Sequence, residues 1–246
     1  MKVKLSAVII TKNEESNIKR CLESLEFADE ILVVDSGSTD RTIDICKDFN
    51  CKVIITDWKG FGLTKKYAVD NASFDWILSI DADEVVSMEL KTEIGILLES
   101  PPDKAFGIKR KSYYLGNPIN YCGWDKDYPL RLFNRKYGNF NDKIVHESVI
   151  VKCKREKIEA PLFHYTYPTI ESHINKINRY SDLSAEELIK KNKHYSVISS
   201  VFFGINKFLK MYLLKRGFLD GMPGLILCIN SAYGVYLKYI KTCKLK

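Results

Sequence analysis

The sequence predicts an α/β protein whose Rossmann-like, mostly parallel sheet is flanked by helices and followed by a helical C-terminal extension. Three observations lead there. Strand and helix patterns alternate through the first hundred residues, polar clusters fall at the carboxyl ends of the strands, and the chain changes its charge character between its halves. At 246 residues it can bury one substantial core, as one large domain or as a domain with an appendage.

The run VKLSAVII reads as a buried first strand and not as a signal peptide, because it meets an Asn-Glu-Glu turn with no small-residue cleavage site. Ile18, Cys21, Leu22 and Leu25 then recur with the spacing of an amphipathic helix. ILVVD (31–35) is the second strand. The SGSTD that follows it is made of helix-capping types, ahead of a helix with Ile43, Cys46 and Phe49 on one face. CKVIIT (51–56) is a third strand, GLTKKYAVDNA a third helix, and WILSID (76–81) a fourth strand, with a helix from about Met88. Much later, positions 170, 174, 177, 181 and 188, apolar except for Ser181, follow the spacing of a long amphipathic helix.

Seven cysteines without a CxxC pair argue against a disulfide framework or a zinc module and for reduced cytosolic thiols. Residues 1–100 hold 12 Lys and Arg against 19 Asp and Glu, whereas residues 101–246 hold 26 against 12. The last 47 residues carry eight basic side chains and only Asp220 as acid, which suggests an anionic partner, either nucleic acid or a membrane surface.

In a doubly wound sheet, ligands bind outside the carboxyl ends of the strands. Thr11-Lys12-Asn13, Asp35-Ser36-Gly37-Ser38 and Asp81-Ala82-Asp83-Glu84 each follow a predicted strand, so they share one cleft. Three carboxylates within four positions repel one another and are costly to desolvate, so the last cluster needs water or a cation.

These residues carry a resemblance. SAVIITKNEESNIKRCLESL, EILVVDSGSTDRT and DWILSIDADE resemble the nucleotide-binding half of family 2 glycosyltransferases of the GT-A fold. WKGFGLTKK, RLF (131–133), IVHESV, FHYTY and GFLDGMPG further resemble the bacterial subgroup that adds sugars, often glucose, to the inner core of lipopolysaccharide. One departure stands out: Thr64-Lys65-Lys66 occupies a place where that subgroup tends to have Gln-Lys-Asn. The resemblance implies a UDP-sugar donor with Mg²⁺ or Mn²⁺ on its diphosphate, Asp83 as metal ligand and Asp81 on the ribose or sugar. It further implies Asp35 on the uracil ring, Thr11 and Glu14 lining the nucleoside pocket, and Lys65 on diphosphate or sugar.

An inverting single displacement needs a base on the face opposite the leaving group. Glu147 is the first choice and Asp142 the second, with Asp125 and Asp127 next; His146 orients Glu147 or binds metal, and His164 has a metal or diphosphate role. In the tail, residues 197–214 are apolar over a wide arc, and LILCINSAYGVYLKYI is interrupted by Asn230, Ser231 and Lys238. An interfacial helix pair or a helical cap is expected there, not a transmembrane helix.

The organisation expected is a GT-A domain over 1–168, with a nucleotide-sugar half (1–100) and an acceptor half (101–168), and a helical extension over 169–246 that docks on a membrane. The reaction expected is hexose transfer to a lipid-linked core oligosaccharide at the cytoplasmic face of the membrane, with no nucleic acid involved. Two alternatives differ in class. A sugar-1-phosphate nucleotidyltransferase would need a glycine-rich phosphate loop where Thr11-Lys12-Asn13-Glu14 stands. A nucleic-acid-binding protein would use the basic tail, but that tail adjoins broad apolar helices and no nucleic-acid motif.

Overall fold

The computed structural model describes residues 3–141 and 148–243. The chain forms two compact units, one of residues 1–110 with 127–164, the other of residues 111–126 with 165–246.

The first unit is built on the alternation visible in the sequence. Strands β1 (Leu5–Thr11), β2 (Glu30–Asp35), β3 (Lys52–Ile55) and β4 (Trp76–Asp81) lie in the order β3-β2-β1-β4, and each adjacent pair is parallel. Helices α1 (Ile18–Glu23), α2 (Thr42–Asp48) and α3 (Phe61–Asp70) make the crossovers. Because side chains alternate across a strand, β1 serves two cores. Leu5, Ala7 and Ile9 pack in one cluster with Ile18, Cys21, Leu22 and Leu25, while Val8 joins Ala68, Val69 and Phe133 in another. Burial on both faces is why these strands read as unbroken apolar runs.

A three-residue strand, β5 (Glu84–Val86), follows the acidic segment directly, and Ser87 caps α4 (Met88–Glu99) by accepting a hydrogen bond from Leu90 N at 3.1 Å. The rest of the sheet comes from β6 (Lys104–Tyr114), β7 (Asn117–Pro118), β8 (Leu130–Asn134) and β11 (Lys154–Tyr167), while β9 (Gly138–Phe140) and β10 (Val149–Val151) pair in a separate two-stranded sheet. β8 pairs antiparallel with β4, and the order continues β8-β6-β11-β5. The parallel half thus runs on into antiparallel strands, and β11 doubles back against β5.

The second unit holds α5 (Ile170–Lys190), α6 (Val197–Leu209), a π-helical turn (210–214), a 3₁₀ turn (217–220) and α7 (Gly221–Ile240). Thr169 and Ser172 close a capping box at the start of α5. By length and composition, Val197–Leu214 and Gly217–Ile240 are each long and apolar enough to cross a membrane. All seven cysteines are free thiols.

A buried polar cluster ties the second unit together: Tyr114 Oη lies 2.9 Å from His173 Nδ1, Asn230 donates to that hydroxyl at 3.0 Å, and Tyr167 stacks on the imidazole at 4.1 Å. Burial, aided by the charge of Lys176, lowers the His173 pKa to about 4. A histidine that resists protonation when folded stabilises fully above its unfolded pKa, and that stability is lost as pH falls from about 6.5 to about 4. Urea midpoints of the second unit's transition should therefore fall between pH 7 and pH 4, by about 1–2 kcal/mol after solvent screening. His173→Gln should flatten that slope; an unchanged slope would move the titration to another group.

Candidate active site

Strand register lines up the first two clusters: Thr11 pairs with Asp35, and Ile10 with Asp81, so the ends of β1, β2 and β4 share one edge of the sheet. The loops leaving β1 and β2 then clasp each other. Asn13, at φ 56°, donates from its N–H to Ser38 Oγ (2.8 Å) and accepts from Thr39 N (2.8 Å), Glu14 N donates to Thr42 Oγ1 (2.8 Å), and Arg41 N donates to the Glu15 carboxylate (3.0 Å). Asp35 is fully buried. One of its oxygens accepts from Gly37 N (2.9 Å) and Ser38 N (2.8 Å), the other from the Ser38 hydroxyl. Gly37 at φ 80° supplies the left-handed turn this requires. The Glu14 carboxylate accepts from Asn17 Nδ2 at 2.8 Å. Two buried hydroxyls on this edge, Thr11 Oγ1 and Ser36 Oγ, have no hydrogen-bond partner among the described residues.

The acidic segment is neutralised by cations of the protein itself. Lys65, on α3 and only 4% exposed, sits 2.8 Å from Asp81. Arg131, on β8 and equally buried, bridges Asp81 and Glu84, the second at 2.7 Å. Glu84 has no exposed surface; it accepts from Asp81 N at 3.0 Å, and Arg110 approaches it at 3.5 Å. Burial alone would raise the Asp81 pKa, but the charges of Arg131 and Lys65 outweigh it and hold the carboxyl well below the ordinary range. The same carboxylates keep Arg131 protonated against its own desolvation. RLF signalled Arg131 only as part of a family box, and nothing local in the sequence pointed to Arg110 or to burial of Glu84.

Asp83 faces a different partner. β11 pairs with β5 so that His164 lies opposite Glu84, and His164 Nε2 comes within 3.3 Å of Asp83 Oδ2. This pair offers one oxygen and one nitrogen donor; among the described residues no group of three His, Cys, Asp or Glu side chains converges on a point that could hold a metal ion. Thr64, at the departure from the subgroup pattern, is buried and donates its hydroxyl to Gly60 O at 2.8 Å, so its side chain is spent within the helix.

Glu147, Asp142 and His146 lie outside the described residues. Their flanks are anchored: Asn141 and Ser148 are hydrogen-bonded to each other, and Phe140 lies under the Lys65 ammonium at 5.7 Å. Of the remaining base candidates, Asp127 is held by Arg110 at 2.7 Å and 2.5 Å, and Asp125 is exposed in the second unit.

Comparison with known proteins gives the site its chemical class. Over 97% of its length the chain is 34% identical to an uncharacterised glycosyltransferase of Rickettsia typhi, covering 86% of that protein. It is 28% identical, over 97% of its own length and 94% of the relative's, to the lipopolysaccharide core biosynthesis glycosyltransferase LpsC of Rhizobium meliloti. Among solved structures, S. aureus TarS 1-349 in complex with UDP-GlcNAc resembles 94% of the chain, over 81% of TarS, at 16% identity and a TM-score of 0.47, a likeness too low to bear on donor or acceptor. The family model described as Glycosyl transferase family 2 matches residues 6–152, and with the clasped loops and the paired aspartates within that stretch, the chain is a family 2 glycosyltransferase.

Proposed function

We propose that this enzyme moves a hexose, glucose first among the candidates, from a UDP-sugar to a lipid-linked core oligosaccharide by a metal-dependent single displacement that inverts the anomeric centre. The observation that carries the reading is the separation of the two aspartates: Asp81 is committed to Lys65 and Arg131, whereas Asp83 faces His164. The role of LpsC in lipopolysaccharide core biosynthesis supports the acceptor class.

In this reading Thr11 and Ser36 offer their unpartnered hydroxyls to the nucleoside, with Glu14 beside them. Asp35, though held by its own loop, keeps lone pairs for the uracil N–H, because an ionised carboxylate can accept about four hydrogen bonds. Asp81, locked ionised, accepts from a hydroxyl of the ribose or the donor sugar, and Lys65 beside it faces the diphosphate. An oxygen-plus-imidazole donor set suits Mn²⁺ or Mg²⁺, so Asp83 and His164 would hold the metal the family implies. When bound, that ion neutralises the charge developing on the leaving UDP. Glu147 takes the proton of the acceptor hydroxyl, with Asp142 behind it in rank and His146 positioning it. Turnover of a panel of UDP-sugars should require an added divalent ion, and Asp83→Asn should abolish it while thermal stability is kept; metal-independent turnover, or full activity in Asp83→Asn, would overturn the assignment.

The C-terminal extension is proposed to dock on the anionic cytoplasmic face of a membrane. A helix pair that ended in water would bury its large apolar residues; α6 does the reverse. Ser200 and Gly204 are buried, with the Gly204 position packed against Tyr236 and the Ala232 carbonyl of α7, while Ile198 is 83% exposed, Phe202 62% and Leu214 80%. Small residues inside and large ones outside is the pattern of helices that meet in lipid. The aromatics of the tail divide accordingly: Phe203 and Tyr239 pack with Tyr195, leaving Phe202, Phe218 and Tyr233 on the surface. Lys210 and Arg216 are exposed beside this face and complement anionic headgroups. Ile198→Ser with Phe202→Ser and Leu214→Ser should release the protein from anionic liposomes even at low salt without loss of fold. Retention of this variant, or failure of the native protein to sediment with such vesicles, would remove lipid as the partner.

A further inference from the structure

A second recess opens within the first unit. It is a cleft of about 490 Å³ whose inner end is Asp81, Lys65 and Arg131, whose wall includes Phe140, and whose mouth carries Arg155 and Lys157. The nucleoside loops after β1 and β2 contribute nothing to its lining. Whatever fills the cleft therefore reaches the sugar-side aspartate from the side away from the nucleoside, where an acceptor has to stand.

The charges around it do not cancel locally. Lys65 and Arg131 are matched by Asp81 and Glu84, Arg110 is matched by Asp127, and Glu156, the further carboxylate in the lining among the described residues, is held by Lys104 at 2.7 Å. Among the described residues Arg155 has no such match, and Lys157 has only a share in Glu159, whose nearer cation is Lys109 at 3.0 Å. Neither forms an ion pair among the described residues, and Lys157 rests over the Tyr128 ring at 4.4 Å, while the Tyr128 hydroxyl is occupied by Glu159 at 2.9 Å. A guanidinium and an ammonium side by side at the mouth of a cleft, with an aromatic ring beneath one of them, form a receptor for an oxyanion on a sugar. The Nε–H of Arg131, buried and without an acceptor among the described residues, adds a further unmatched donor to the cleft wall.

We infer that the acceptor is an anionic saccharide whose phosphate ester or carboxylate is seated by Arg155 and Lys157, with its nucleophilic hydroxyl directed inward toward Asp81. This rests on the reading of Asp81 as the donor-sugar contact. It narrows the acceptor to charged sugars and makes Arg155 and Lys157 specificity residues distinct from the donor machinery.

The test is calorimetric titration of the full chain, saturated with UDP and Mn²⁺ in moderate salt, with three probes: glucose 6-phosphate, glucuronic acid and the neutral methyl glucoside. At least one anionic probe should bind about tenfold or more tightly than the neutral one, roughly the worth of one charge-assisted hydrogen bond. The tighter of the two identifies the group as phosphate or carboxylate. R155Q/K157Q should erase the preference while UDP affinity and melting temperature stay at their native values, since both side chains are exposed. Equal affinity for all three probes, or a preference that survives in the double variant, overturns the inference. Failure of UDP to bind would strike the donor reading instead, and the same titration without UDP would still decide the cleft.

Discussion

Arg131→Met is expected to destabilise the first unit by about 3–5 kcal/mol, the cost of leaving a buried carboxylate without its partner. The arginine is 4% exposed and bridges Asp81 to Glu84, which has no exposed surface at all. Without it, Asp81 keeps Lys65, but Glu84 is left with Arg110 at 3.5 Å, too distant for a strong hydrogen bond. Two carboxylates that close would no longer both stay ionised, so Asp81, now held below the ordinary carboxylate range chiefly against its own burial, would take up protons at higher pH. The loss should accordingly be largest near neutral pH and shrink at low pH, because a depressed carboxylate pKa stabilises above its unfolded value and that contribution is already gone from the native protein once pH has fallen. Adding Glu84→Gln should recover part of the loss, giving a coupling energy above the roughly 0.5 kcal/mol of independent sites. Hydrogen exchange of the β4 amides reports the unit directly. A loss under about 1 kcal/mol would mean that Lys65 and Arg110 suffice, and that Arg131 is retained for binding alone.

The same residue shows where sequence reasoning reached its limit. Strands β1, β2 and β4 were legible because they are largely buried on both faces and therefore continuous in apolar residues, and the loop after β2 was legible because Asp, Ser, Gly and Thr are the types that turn and cap. Arg131 meets Asp81 only because β8 pairs antiparallel with β4, Ile77 against Phe133, across some fifty residues of chain. Such a pairing has no local signature, so the sequence did not show that two of the three carboxylates in the acidic cluster, Asp81 and Glu84, are balanced from a distant strand. β5 was hidden for a different reason: at three residues it is too short to show a period. In α6 the breadth of the apolar arc was readable, but its direction was not. Ser200 and Gly204 could be placed inside, and Phe202 outside, only once α7 was seen to approach the small side.

Asp35 illustrates a role that sequence and geometry describe differently. From its position it looked like a contact reserved for the base, yet both oxygens also organise the Gly37-Ser38 turn that meets Asn13. Its carboxylate therefore shapes the loop, whatever else it contacts, and removing it would loosen the Gly37-Ser38 turn.

Glu147→Gln is the substitution expected to cost most in catalysis, roughly two to four orders of magnitude in transfer rate, with UDP affinity near native. Glutamine keeps the length and hydrogen-bonding reach of glutamate but cannot accept the proton that the acceptor hydroxyl loses. The segment that carries Glu147 is tethered at both ends by the Asn141–Ser148 hydrogen bonds, and Phe140, one residue before that tether, lies against Lys65, which in turn holds Asp81. The hairpin strands that flank this segment are thus held beside Lys65 and, through it, Asp81. The rival Asp127 is less suited, because it is tied by Arg110. Measured as single turnover against saturating UDP-sugar, Glu147→Gln should lose the acidic limb of the pH–rate profile as well as its rate, because that limb reports the base. If Asp142→Asn loses both and Glu147→Gln neither, the base is Asp142. If neither variant changes the profile, the proton leaves by way of Asp125, and the hairpin's part in the reaction is confined to holding the acceptor.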